Sequence, residues 1–228
     1  MKCSAVILDV DGTLVDSNDA HARAWMDAFG AFGVAVSFDQ VRRSIGMGGD
    51  KLMPLVSGIE EESELGEKIA ARRAEVFKSH YLPGIHSLSG TRELIERFLA
   101  DGMVLAVASS AKKEELTPLL ERAGVEHLIE KRTSSDDAEH SKPDPDIVAA
   151  ALKRVKVPPS EAIMLGDTPY DVIAAKRAGI EIVGVESGGW TREALAGALA
   201  VYKDPADILA RYSDSPFAGR RDPVGSRG

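Results

Sequence analysis

Two aspartates stand two residues apart in Val6-Ile7-Leu8-Asp9-Val10-Asp11-Gly12-Thr13-Leu14, where an apolar run of strand formers gives way to a glycine. Along a strand, residues i and i+2 point to the same face, so Asp9 and Asp11 can lean into one small volume. Neighbouring carboxylates repel, and three arrangements relieve them: a bound cation, a shared proton, or solvation at a strand end. Asp-Gly is also an ordinary turn signal, so this stretch alone does not choose between them. Three other stretches offer matching groups. Ser109-Ser110 follows the apolar run 103–108, Gly166-Asp167-Thr168-Pro169-Tyr170-Asp171 follows 162–165, and Lys142 stands in His140-Ser141-Lys142-Pro143-Asp144-Pro145-Asp146. Each has a plainer reading by itself. The serines and Asp167 can cap the helices that follow, with Pro169 in a first turn, and Lys142 can be a solvated surface lysine.

Taken together these groups suit one reaction. Clustered carboxylates suit a hard divalent cation such as Mg2+, with oxygen ligands and water. A serine hydroxyl, a lysine ammonium and backbone N–H groups suit the oxygens of a phosphoryl group. One carboxylate can attack as a nucleophile and form an acyl phosphate, while the other protonates the leaving alkoxide and then activates water. Metal and lysine would neutralise charge on the group in flight.

The elements that must position these groups form an α/β pattern. Residues 4–10 read as a buried strand, because the apolar run is continuous. Helical spacing then takes over, with Ala20, Ala24 and Ala28 on one repeat and Trp25, Phe29 and Phe32 near it. Residues 39–44, 51–56 and 60–79 also read as helices. The glycine-rich Ile45-Gly46-Met47-Gly48-Gly49-Asp50-Lys51 between them reads as a loop. After Leu82-Pro83-Gly84, strands at 103–108, 128–131, 162–165, 182–185 and 200–202 alternate with helices at 89–100, 113–123, 144–155, 170–178, 193–196 and 206–212. This predicts βαβ units and a parallel sheet, whose ligands bind outside the carboxyl ends of the strands. The expected division is a catalytic core of residues 1–15 and 82–212, a helical cap of 16–81, and a loose tail of 213–228 rich in Ser, Gly, Pro and Arg.

Composition narrows the partners. A length of 228 residues allows one large domain or one domain carrying a smaller one. A net charge of −8 and a pI near 5.2 argue against nucleic acid or an anionic membrane as the main partner, yet leave room for a small anionic substrate. Cys3 is the sole cysteine, so no internal disulfide forms, and its apolar strand predicts a buried thiol. No signal peptide or membrane-spanning run is visible, and a cytoplasmic location is expected.

In these residues the chain resembles the haloacid dehalogenase-like hydrolase superfamily. The resemblance rests on DVDGTLVDS at 9–17, the serine closing VLAVAS at 104–109, Lys142 in SKPDPD, and GDTPYD at 166–171, in that order around a helical insertion. It implies a Rossmann-like parallel sheet and an all-helical cap over the site. It implies Asp9 as nucleophile and Asp11 as general acid and base, with Ser109 and Lys142 holding the phosphoryl group. Mg2+ would be bound by Asp9, the backbone carbonyl of Asp11 and Asp167. Asp171 would stand in the outer shell or support the lysine, and Gly12, Thr13 and Ser110 would support the site. Relatives that cleave carbon–halogen or carbon–phosphorus bonds lack the aspartate two after the nucleophile, so Asp11 points to phosphate esters.

His21 is similar in position to a cap-side histidine of β-phosphoglucomutase-like relatives and of several sugar-phosphate phosphatases, and is expected to face Asp11. Arg43 and Lys51 are the cap candidates for reaching substrate, with solvated helix ends as their plainer reading. The expected function is hydrolysis of a small phosphorylated metabolite of the phosphoglycolate or sugar-phosphate kind. A β-phosphoglucomutase-like phosphotransferase is the alternative. A phospho-accepting signalling module is the remote one, since receivers are about half as long and lack the insertion after the first strand. Neither the leaving group nor an oligomeric state is encoded in any spacing rule.

Overall fold

The computed structural model describes residues 2–218. Its core is a six-stranded parallel sheet of β1 (Ala5–Leu8), β2 (Val104–Ala108), β3 (Lys131–Thr133), β4 (Ala162–Gly166), β5 (Glu181–Val185) and β6 (Ala200–Tyr202). The spatial order is β3-β2-β1-β4-β5-β6. Strand β1 is buried on both faces, which is why its sequence is continuously apolar. Val6 and Leu8 pack with Leu94, Ile95 and Phe98 of α5 (Thr91–Ala100) on one face. Ala5 and Ile7 pack on the other with Ile147 and Val148 of α7 (Asp146–Val155) and with Val172 and Ala174 of α8 (Pro169–Arg177). The strand order reverses at β1, and because β1 pairs in parallel with both β2 and β4, Leu8, Ala108 and Gly166 all end on one rim.

Between β1 and α5 the chain forms α1 (Asn18–Ala31), α2 (Phe38–Ser44), α3 (Gly49–Ser57) and α4 (Glu64–Val76). Trp25 and Phe29 of α1, Val41 of α2, Leu52 and Met53 of α3 and Ile69 of α4 build a separate apolar cluster. Helix α4 continues into a π turn, Phe77–Tyr81, and a 3-10 turn, Leu82–Gly84, that return the chain to the sheet. Ala24, Val76 and Phe77 join the sheet's own cluster, which ties the helical layer down. Helix α6 (Lys113–Arg122) follows β2, and α9 (Pro205–Ala210) follows β6. Among the described residues no helix is long and apolar enough to cross a membrane.

Four local expectations differ. Strand β3 lies at Lys131–Thr133 rather than 128–131, because pairing to β2 sets its register, with Ala106 opposite Lys131 and Ala108 opposite Thr133. Glu126–Leu128 is a 3-10 turn. Residues 193–195 form turns instead of a helix, Ala196 makes an isolated bridge to Ala198, and Gly197 has φ of +107°, which ends any helical path. The loop read over 45–51 stops at Gly48. That residue is extended at the N-cap of α3, so Gly49 and Asp50 form a first turn with the acidic residue at the positive end of the helix. The tail expected to be loose from 213 begins as packed structure. Phe217 is buried with its ring 4.7 Å from that of Phe98, and Ser215 Oγ donates to the Tyr212 carbonyl at 2.7 Å. Residues 219–228 lie outside the described residues. Cys3 is buried as expected, and burial pushes its thiol up to about 11.

Candidate active site

The turn after β1 brings both aspartates to the rim. Asp9 N donates to the Leu165 carbonyl at 2.9 Å, fixing the strand end beside β4. Gly12 then turns the chain with φ of +76°. A Cβ there would lie 2.3 Å from both Asn18 Nδ2 and Asp167 Oδ2, so glycine is required on both counts. Beneath the rim, Lys142 is fully buried between two carboxylates, with Nζ 2.5 Å from Asp9 Oδ1 and 2.7 Å from Asp171 Oδ1. Asp171 Oδ2 accepts from Thr168 N at 3.0 Å and Thr168 Oγ1 at 2.7 Å, as part of the capping box of α8. Asp171 is therefore committed to the lysine and the helix cap. Asp9 Oδ2 and Asp167 Oδ1 share the Thr13 hydroxyl, at 2.9 and 3.2 Å, and Thr13 has a single proton to give. Asn18 Nδ2 donates to Asp167 Oδ2 at 2.9 Å, while Asn18 Oδ1 is buried without a partner among the described residues.

This cluster is short of positive charge. Burial pushes the Asp9 carboxyl up to about 7, with Asp171 and Asp11 adding to the rise, and Lys142 does not offset it because that ammonium is shared with Asp171. Burial likewise drives Asp167 well above the carboxylate range, reinforced by Asp9 and Asp171 and opposed by Asn18 and Lys142. Lys142 itself moves upward, since Asp171 and Asp9 outweigh its burial, and its charge is secure. Carboxylate oxygens of Asp9, Asp167 and Asp171 lie within 4.8 Å of one another. Asp171 accepts three hydrogen bonds, whereas Asp9 and Asp167 compete for one Thr13 proton and keep acceptor capacity for a further partner. All-oxygen donors, excess negative charge and the orphaned Asn18 Oδ1 fit a hard divalent cation.

Asp11 stands in a different environment. Its Oδ1 accepts from Ser17 Oγ at 2.5 Å and from His21 Nε2 at 2.7 Å. The His21 ring stacks on Phe77 at 4.1 Å, and its Nδ1 meets Arg73 Nη2. Arginine can only donate, so Nδ1 is the bare nitrogen and Nε2–H is the donor to Asp11. Arg73 Nη1 in turn contacts both carboxylate oxygens of Glu115, at 2.5 and 2.6 Å. Burial works against the Asp11 carboxylate, but His21, Ser17 and Arg73 outweigh it and hold its pKa below the ordinary range.

A cavity of about 520 Å³ opens above Asp9 and Asp11, roofed by Trp25, Arg73 and the glycine-rich loop 46–49. Ser110 lines it and donates to the Gly46 carbonyl at 3.0 Å, while Gly48 N donates to Ser141 Oγ at 2.9 Å. Ser109 is fully buried one residue beyond β2, its Oγ accepting from Ala111 N at 3.1 Å.

Residues 6–185 match the family model described as haloacid dehalogenase-like hydrolase. The chain belongs to that family. It is 31% identical over 208 residues to a "Phosphorylated carbohydrates phosphatase" of Thermotoga maritima, covering 90% of this chain and 96% of that protein. It is 32% identical over 190 residues to "Protein SUPPRESSOR OF QUENCHING 1, chloroplastic" of Arabidopsis thaliana, of which this chain spans only 18%. The crystal structure of a hydrolase from Pseudomonas syringae superposes with a TM-score of 0.84 at 31% identity, covering 92% of this chain and 98% of that one. This haloacid dehalogenase-like chain is thus an enzyme, a phosphoric monoester hydrolase with the expected Rossmann-like fold.

The hydrolase brings together Asp9, Asp11, Thr13, His21, Lys142, Asp167 and Asp171 through hydrogen bonds, and Gly12 by its close approach to Asp167. It does not bring Arg43 and Lys51 to the cavity. Arg43 is exposed with its carbonyl bonded to Tyr170 OH at 2.7 Å, and Lys51 pairs with Asp144 at 2.8 Å. Sequence reasoning missed Asn18, Arg73, Glu115 and Gly188. A Cβ on Gly188 would lie 1.6 Å from Asp167 Oδ2. A signal for Arg73 was available. Ile69, Arg73 and Phe77 are spaced by four on one helical stripe, which makes a charge on the buried face.

Proposed function

We propose that this hydrolase is a Mg2+-dependent phosphatase of a small phosphorylated metabolite, of the phosphoglycolate or sugar-phosphate kind, that works through an aspartyl-phosphate on Asp9. The observation that carries the reading is the contrast between two aspartates two residues apart. Asp9 shares the one Lys142 ammonium with Asp171 and is pushed up by burial, while Asp11 accepts hydrogen bonds from Ser17 and His21, with the Arg73 guanidinium behind them, and is held down. Asp9 and Asp167, with the backbone carbonyl of Asp11, would hold the metal, which when bound neutralises charge on Asp9 and on the phosphoryl oxygens. An Asp9 carboxylate oxygen attacks phosphorus as the ester P–O bond breaks, and Asp11, which must enter this half protonated, gives its proton to the departing alkoxide oxygen. Asp11, then a carboxylate, takes a proton from the water that attacks the aspartyl-phosphate, releasing phosphate and restoring Asp9. The surroundings of Asp11 favour the carboxylate that this second half needs. Lys142 holds Asp9 in line and balances its charge, and Ser109 stands at the neighbouring strand end for a phosphoryl oxygen. The expected setting is cytoplasmic, in keeping with a single buried free cysteine.

The test is phosphate release from p-nitrophenyl phosphate. Asp9→Asn should abolish it with the melting temperature kept, and EDTA should silence the wild type until Mg2+ is restored. Near wild-type turnover by Asp9→Asn would remove the nucleophile assignment, and full activity in chelator would remove the metal. Dependence of turnover on an added sugar bisphosphate would favour the β-phosphoglucomutase-like alternative.

A further inference from the structure

The cavity wall above Asp9 and Asp11 carries a charge pattern that phosphoryl transfer does not use. Beyond those two residues the lining holds seven carboxylates and two cations, Arg73 and Lys112. Arg73 is taken up by Glu115 and His21. Lys112 is exposed. Asp50 already accepts from Ser141 N at 3.2 Å, and Asp136 from Lys113 N at 2.9 Å.

Glu61 differs from these. It is half-buried and makes no hydrogen bond or ion pair among the described residues. Its carboxylate lies against the glycine-rich loop, so close that a Cβ on Gly49 would meet Oε1 at 2.7 Å. Burial pushes its carboxyl upward, with Asp50 and Glu62 adding to the rise and Lys112 and Arg73 opposing it. A carboxylate in this position lacks a donor that the protein does not supply, and a ligand donor in the cavity would satisfy it.

We propose that Glu61 is a specificity residue on the leaving-group side of the cavity, and that the substrate is the phosphate ester of an amine-bearing polyol such as an amino sugar. The ammonium and a neighbouring hydroxyl of the leaving group donate to the Glu61 carboxylate. A leaving group carrying its own carboxylate or second phosphate meets like charge on the wall, which selects against it. This rests on the phosphatase reading and narrows its substrate class to the sugar-phosphate kind, away from phosphoglycolate.

The test compares kcat/KM for glucosamine 6-phosphate and glucose 6-phosphate, two esters with the same scissile alkoxide, in Mg2+. Phosphoglycolate serves as the anionic probe and p-nitrophenyl phosphate as the check on chemistry. The wild type should favour the amine over the neutral sugar by about tenfold or more, the size of one charge-assisted hydrogen bond. That ratio should fall towards one in Glu61→Gln, mainly through KM, and Glu61→Lys should turn the preference to phosphoglycolate. A wild-type ratio of one or below, or a ratio unchanged in Glu61→Gln, overturns this proposal alone when p-nitrophenyl phosphate is turned over. Absence of all turnover, p-nitrophenyl phosphate included, overturns the phosphatase reading and this proposal with it.

Discussion

The Arg73–Glu115 pair joins α4 of the helical layer to α6 of the sheet layer, and its removal offers a sharp test of how the two are held. The guanidinium contacts both carboxylate oxygens, and the two side chains are only 14% and 9% exposed. It also lies 4.9 Å over the Phe77 ring and 5.5 Å over Trp25, with Nε buried and unbonded. Exposed pairs contribute about 0–1 kcal/mol, whereas breaking a buried one costs about 3–5 kcal/mol because a charge is left uncompensated. At this burial Glu115→Ala should cost about 2–3 kcal/mol, below the fully buried limit because water still reaches an edge of the pair. The double-mutant cycle with Arg73→Ala, read by urea denaturation, should give a coupling energy of about 2 kcal/mol. Arg73→Ala should also lower kcat more than Glu115→Ala, since Arg73 touches His21 directly and Glu115 acts only through it. A coupling energy under about 0.5 kcal/mol would refute the reasoning, because the pair would then behave as a solvated surface contact.

Other outcomes follow from the same geometry. In EDTA, Asp9 sits near 7 in the folded chain against an ordinary 3.8, so between those values the unfolded state binds fewer protons and stability falls as pH rises. Stability in EDTA should therefore drop from pH 5 to pH 7.5 by about 2.5 kcal/mol, with Mg2+ restoring more at pH 7.5 than at pH 5, and a rise with pH would contradict this. Gly188→Ala puts a methyl 1.6 Å from Asp167 Oδ2 and should raise the Mg2+ concentration for half-activity about 10–100-fold with the fold intact, as read by metal titration. Phe217→Ala should cost about 3–5 kcal/mol in urea denaturation, and a cost under about 1 kcal/mol would show that this end of the chain is not part of the core.

The sheet was legible because its strands are buried on both faces, and a continuous apolar run such as Val6-Ile7-Leu8 leaves little else for the chain to be. Strand β3 was misplaced for the converse reason. Lys-Arg-Thr at an edge carries no hydrophobic signal, and only pairing with β2 selects it over Leu128-Ile129. The residues at strand ends could be gathered from sequence, since the topology of a parallel sheet sends every carboxyl end to one side. Arg43 and Lys51 could not be placed, because the rotation of the helical layer over the sheet sets which of its cations face inward. That rotation depends on contacts such as Ser110 with Gly46 and Ser141 with Gly48, which join segments far apart in the chain. Phe217 was hidden by composition. One aromatic ring reaching Phe98 outweighs the Ser, Gly and Pro around it.

The two aspartates at the end of β1 differ because their partners come from different layers. Asp9 takes Lys142 and Thr13 from the sheet layer, and its charge balance is set there. Asp11 takes His21 from α1, and through it Arg73 from α4, so its charge balance is set by where the helical layer stands. A motion of that layer away from the rim would remove His21 and Arg73 together and return Asp11 towards an ordinary carboxyl, while leaving the Asp9–Lys142 pair in place. Asp9, the proposed nucleophile, would then keep its lysine whether or not the cavity is covered. On the proposed mechanism, Asp11 is held as a carboxylate only when it is covered, the form that the water-activating half needs. An inserted helical layer therefore does more than enclose substrate. It supplies the partners that make two neighbouring aspartates chemically unlike.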